Sequence, residues 1–160
     1  MSSRWVATIG IVMAVWMSLG RWAVGLGGPL TWWYLPTIGL GFAALQLWAA
    51  RRIRVTRERG RRTSRSTIVS LVLAWVSAIG FGLTVPDSVN GELVSILSAP
   101  SGSTWSTEMS IALCNPLGIV AFALAVAAVA FAAADGREPR PEEDEADGAG
   151  AGMVPHPLSE

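Results

Sequence analysis

Four apolar runs constrain this chain more than any other feature, because each is close to the roughly 20 residues a helix needs to cross a bilayer. They run from Trp5 to Leu26, Trp32 to Ala50, Thr67 to Val85 and Thr107 to Ala134, with no Asp, Glu or Lys in the middle of any. Such a run is stable in lipid as a helix, since a helix satisfies its own backbone N–H and C=O groups. The expectation is an all-α membrane protein: a four-transmembrane-helix bundle over residues 1–134 and a disordered acidic tail over residues 135–160. The opening Met1-Ser-Ser-Arg4 looks like a signal-peptide n-region. The apolar stretch after it is long for one and no Ala-x-Ala pattern follows, so the first run reads as a retained helix.

The overall hydrophobic share, 51%, is near that of soluble domains and decides nothing by itself. The placement of charge decides more. All 12 basic residues are Arg, and together with the abundant Ala, Val and Gly this points to a GC-rich bacterial genome. Net charge is zero, so the basic footprint of a nucleic-acid binder is missing. The loop 51–66 carries eight arginines against one acid, Glu58. If four helices alternate, Arg4, Arg137 and Arg140 join that side, and eleven of the twelve arginines then lie together. The positive-inside rule makes that side cytoplasmic, placing both termini inside a bacterial cytoplasmic membrane. Beyond setting topology, Arg51 to Arg65 offers anionic lipid headgroups or an acidic partner a cationic surface. The outer side has one short connection, Gly27 to Thr31, and a longer loop, 86–106, whose Leu93 to Leu97 segment reads as a short interfacial helix.

Small residues at four-residue spacing let helices approach closely in lipid. Gly10, Ala14 and Ser18 form such a row, as do Gly39 and Ala43, and Ser70, Ala74, Ala78 and Gly82. Of eight tryptophans, six fall near helix ends as an aromatic belt. Trp16 and Trp75 fall near mid-helix, where a buried indole N–H needs an acceptor. They read as facing protein within the bundle, with a second subunit, a lipid or a quinone ring as the other candidates.

Polar residues inside the runs are few. Arg21 lies 17 positions after Arg4 (21 − 4), about 25 Å along a helix, toward the outer interface. There it either snorkels to water or pairs with Glu108, with Asp87 and Glu92 as further candidates. Asn115 and Pro116 interrupt the fourth run: the proline predicts a kink, and the amide a polar contact on the outer face. Gln46 is placed to hydrogen-bond between helices.

Catalytic and cofactor chemistry lacks parts. One Cys, Cys114, cannot form an internal disulfide, and the single His, His156, cannot assemble a metal or haem site alone. No carboxylate or His sits mid-span, as proton-coupled carriers usually require. The expectation is no catalytic residue, no cofactor and no metal.

The segments "SIALCNPLGIVAFALAV" and "AWVSAIGFGLTVPD" resemble small uncharacterised four-helix integral membrane proteins of actinobacteria. That resemblance covers about the last half of the membrane part. It implies the four-helix fold and carries no activity across. Two functions remain open. The first is a non-catalytic structural or accessory subunit of a respiratory or cell-envelope complex, packing on larger membrane proteins through its small-residue and Trp-bearing faces. The alternative is a small oligomeric transporter or channel.

Overall fold

The computed structural model describes residues 2–100 and 102–137 and is mostly helical. The tail expected to be disordered falls, from residue 138 onward, outside the described residues. Helix α1 spans Ser3–Leu19 and tightens into a 3-10 turn, Gly20–Val24. A four-residue helix α2, Thr31–Tyr34, runs through a π turn, Leu35–Gly39, into α3, Leu40–Glu58. Helix α4 covers Arg65–Thr84 and α5 covers Thr104–Asp135. Between α4 and α5 lies a β-hairpin, β1 Asp87–Val89 with β2 Glu92–Val94.

The helix boundaries have local causes. Three starts are capped by serine: Ser2, Ser64 and Ser103 accept hydrogen bonds from Trp5, Thr67 and Ser106 N–H at 3.4, 3.2 and 3.3 Å. Each satisfies a first-turn donor that has no partner within the helix. The α1 extension and α3 end at Gly25 and Gly60, whose φ values of 75° and 76° suit a residue without a Cβ. Pro86 follows the last residues of α4, where no further helical N–H is available.

Three helical stretches are each long and apolar enough to cross a membrane: Ser3–Val24, Arg65–Thr84 and Thr104–Asp135. The second apolar run is different because its helix is not regular. Pro36 cannot donate a hydrogen bond and crowds the carbonyl four residues back, so the ladder widens and Leu40 N–H bonds to the Leu35 carbonyl. The apolar half of α3 is then continuous with the arginine-bearing half that follows Ala50.

The four helical segments form a ring in which α1 and α5 each pack against both α3 and α4. The small-residue rows face inward. A Cβ on Gly10 would overlap the Gln46 side chain, one on Gly39 the Ser18 hydroxyl, and one on Gly82 the Trp16 indole. On α5, Ala121, Ala125, Ala128 and Ala132 are 0%, 1%, 0% and 0% exposed, so this helix meets its neighbours through an alanine stripe. Phe42 and Phe122 close the α3–α5 contact edge to face, 5.7 Å between centroids. These contacts are made within the bundle, while Ala14, Ser18, Gly39 and Ala43 also line a groove between α1 and α3.

A further expectation changes here. The segment expected to be a short interfacial helix, Leu93 to Leu97, instead begins within β2 and continues into a turn. The cause is Asn90-Gly91, both with positive φ (54° and 87°), which folds the chain into a two-residue hairpin turn. Helix α5 is assigned continuously through Pro116, so residues Thr107 to Cys114 belong to the same helix as the segment that follows.

Candidate functional site

At the end of the bundle opposite the arginine-rich loop, charge is buried. Arg21 and Asp87 are 2% and 0% exposed, and Arg21 Nη1 stands 3.5 Å from Asp87 Oδ2. Arg21 reaches this position because it lies three and four residues after the buried Ser18 and Met17, on the inward face of α1. Its Nη1 also donates to the Pro86 carbonyl at 3.0 Å, and its guanidinium lies over the Tyr34 ring, 4.7 Å from the centroid. Nη2 donates back to the Met17 carbonyl at 3.4 Å. Pairing is therefore with Asp87, and Glu108 is corrected: it is exposed near the start of α5 and bridges to no cation among the described residues. Snorkelling to water is excluded by the same burial.

Asp87 sits at the first position of β1, so the hairpin turn fixes where its carboxylate points. The Gly25–Leu30 loop closes over it. Leu30 N–H and Ser88 N–H donate to Oδ1 at 3.0 and 2.8 Å, and the Thr31 hydroxyl donates to Oδ2 at 2.8 Å. Trp22 extends the chain of bonds, donating its indole N–H to the Thr31 oxygen at 3.1 Å. Gly28 is required at this contact, because a Cβ there would overlap the Ser88 carbonyl and the Asp87 carboxylate. Burial pushes the Asp87 carboxyl up. Hydrogen bonds from Thr31 and from the Ser88, Leu30 and Gly28 amides outweigh that and hold it below its ordinary value. Charge, donors and loop closure make this a buried clamp between the end of α1, the Gly25–Leu30 loop and the hairpin.

The other sequence-predicted residues are placed separately. Trp16 donates its N–H to the Ile79 carbonyl at 3.2 Å, and Trp75 donates to Gln46 Oε1 at 3.1 Å. Both mid-helix indoles thus satisfy themselves within the bundle. Gln46 Nε2 is buried without a partner among the described residues. At the arginine-rich end, Asp135 accepts from Ser64 N–H at 2.9 Å and the Thr67 hydroxyl at 2.8 Å, tying the end of α5 to the start of α4.

Asn115 is the exception to this internal satisfaction. It is exposed and lines a groove of about 310 Å³ with Ile38, Phe81, Gly118, Ile119 and Phe122. The groove stays open because Gly118 is small: a Cβ there would press on the Phe81 ring at 3.0 Å. Asn115 Oδ1 receives only a long contact from the Cys114 thiol, 3.9 Å, and its Nδ2 has no hydrogen-bond partner among the described residues. Pro116, exposed beside it, frees the carbonyl of residue 112 from a helical donor. An unpartnered amide beside an unpaired backbone carbonyl, flanked by apolar walls, can accept and donate to a neighbouring helix.

Tyr34 and Thr31 were not identified from sequence as parts of the clamp. The available signal was Asn90-Gly91, which places Asp87 at a hairpin start beside the Gly-Gly-Pro connection. No family model, curated protein or solved structure matches the chain.

Proposed function

We propose that the chain is a four-span protein of a bacterial cytoplasmic membrane, with both termini cytoplasmic. Its role is that of a non-catalytic accessory subunit docking on a larger membrane complex, respiratory or cell-envelope, of the kind found in actinobacteria. Membrane residence is supported by the distribution of residue types. The bundle buries Ser18, Ser70, Thr67 and alanines such as Ala74, Ala78 and Ala125 while exposing Leu40 (63%), Val76 (60%) and Ile119 (69%). In water that surface is an association hazard, whereas in lipid it is the solvated face. The second span joins the other three because α2, the π turn and the first half of α3 give continuous helical backbone across an apolar run.

The observation that carries the accessory reading is the Asn115 groove. Its amide faces outward between apolar walls, and its Nδ2 has no hydrogen-bond partner among the described residues. An interhelical hydrogen bond in lipid contributes about 0.6–2 kcal/mol, and a groove floored by glycine adds close packing. Purification at native levels in mild detergent, followed by mass spectrometry, tests the reading. The expected result is stoichiometric recovery of a larger membrane polypeptide, lost in Asn115→Leu while that variant remains folded. Recovery of this chain alone refutes it, and recovery as a homo-oligomer that moves a solute in liposomes favours a small transporter instead. Topology has its own test: a periplasm-active reporter fused after Ser98 is active, and one fused after Glu58 is silent.

A further inference from the structure

At the arginine-rich end, α1 and α3 enclose a groove of about 230 Å³ whose walls change character along its length. Arg4 from α1 and Arg51 and Arg54 from α3 line one part, and Ala7, Leu47 and Ala50 line the other. No acidic residue lines it. Glu58 bonds Arg54 through Nε at 2.8 Å from outside the groove, which leaves the two terminal guanidinium nitrogens of Arg54 free to turn toward it. The first turn of α1 adds backbone N–H groups that no helical carbonyl can reach, at the positive end of the helix dipole. Trp5 and Trp48 are 64% and 52% exposed, each next in sequence to a lining residue or one removed. Tryptophans at that position mark the boundary between headgroups and acyl chains.

We propose that this groove is a binding site for one anionic phospholipid. The phosphodiester sits between Arg4, Arg51 and Arg54, and the upper acyl chain lies along Ala7, Leu47 and Ala50. Charge complementarity selects the headgroup, since three cations from two helices converge with no lining carboxylate. The apolar half selects a lipid over a free anion. A second groove, between α3 and α5, is lined by Arg52, Arg59 and Arg137, of which Arg59 donates to the Gly136 carbonyl at 2.7 Å. A lipid seated here bridges α1 to α3 just beyond the Gly10–Gln46 crossing and so fixes the splay of these two helices.

This inference rests on the membrane reading, and the test separates the two. The full chain is incorporated into phosphatidylcholine nanodiscs with and without phosphatidylglycerol, extracted gently, and its retained lipids are counted by native mass spectrometry. Failure to enter phosphatidylcholine discs overturns the membrane reading itself. Entry with one retained phosphatidylglycerol, in preference to phosphatidylcholine, is the expected result. Each of Arg4→Gln, Arg51→Gln and Arg54→Gln is expected to weaken retention about fivefold, and the triple variant about a hundredfold. Arg57→Gln removes the same charge from α3 outside the groove and is expected to leave retention unchanged. Ala7→Phe fills the apolar half without changing charge and is expected to abolish retention, while inorganic phosphate does not compete. Equal loss in Arg57→Gln, no preference for phosphatidylglycerol, or full competition by inorganic phosphate overturns the proposal. All four arginines are exposed, so their variants fold, which the thermal transition in detergent verifies.

Discussion

Asp87→Asn keeps the shape of the side chain at the buried clamp and removes its charge. Arg21, 2% exposed, then retains two carbonyl acceptors and the Tyr34 ring but no counter-ion. Removing one partner of a buried pair costs about 3–5 kcal/mol, because the remaining charge is neither paired nor hydrated. At 1.4 kcal/mol per factor of ten, the unfolding equilibrium shifts by roughly two to three and a half powers of ten. Arg21→Met is expected to cost less. Asp87 would still accept from the Thr31 hydroxyl and from two backbone amides, whereas Arg21 left alone can donate only to the Pro86 and Met17 carbonyls. The double variant is expected to recover part of the sum, with a coupling energy of about 1–3 kcal/mol. The exposed Arg54–Glu58 pair supplies the control. Its side chains are 72% and 59% exposed, so solvent screens it and Glu58→Gln should cost only about 0.3–0.5 kcal/mol. Reversible unfolding in mixed micelles, titrated with denaturing detergent, measures all four variants. If Asp87→Asn costs no more than Glu58→Gln, or if the double variant is additive, the clamp does not hold the loop and hairpin together.

Acid should act through the same residue. Its carboxyl is held below the ordinary value in the folded state, so its contribution is present above the unfolded value and lost as pH falls through the folded one. A pH series of thermal transitions should therefore show an acid-side loss that Asp87→Asn flattens. Gly28→Ala places a methyl against the Ser88 carbonyl, which is backbone and cannot rotate away, and should cost about 1–3 kcal/mol by the same unfolding assay. Gln46→Leu strands the Trp75 indole N–H, while the Gln46→Leu, Trp75→Phe pair removes donor and acceptor together. The single variant should lose about 1–3 kcal/mol and the pair nearly nothing, partly because Gln46 Nε2 is already unsatisfied.

Helix existence was legible in the chain because uninterrupted apolar runs and serine caps are local signals, and the rows of small residues marked the faces that pack. Long-range polar partners were less legible. Arg21 had three acidic candidates, and choosing Asp87 required knowing that Asn90-Gly91 makes a hairpin. The alternation around that turn is short, and the apolar Leu93 to Leu97 segment masked it. The π turn at Leu35–Gly39 was not legible, since the apolar count of the second run carries no sign of how Pro36 widens the ladder within it. At the candidate docking site the residues Asn115 and Pro116 were visible in sequence. The groove was not, since Ile38 and Phe81 come from other helices.

Site-specific crosslinking in native membranes tests the docking claim most directly. A photoreactive residue at Ile119, which is 69% exposed and lines the Asn115 groove, is compared with one at Val76, 60% exposed and outside it. The account predicts one adduct of defined, larger mass from position 119 alone, abolished by Asn115→Leu. Adducts only with lipid or with a second copy of this chain, or equal adducts from both positions, would contradict it.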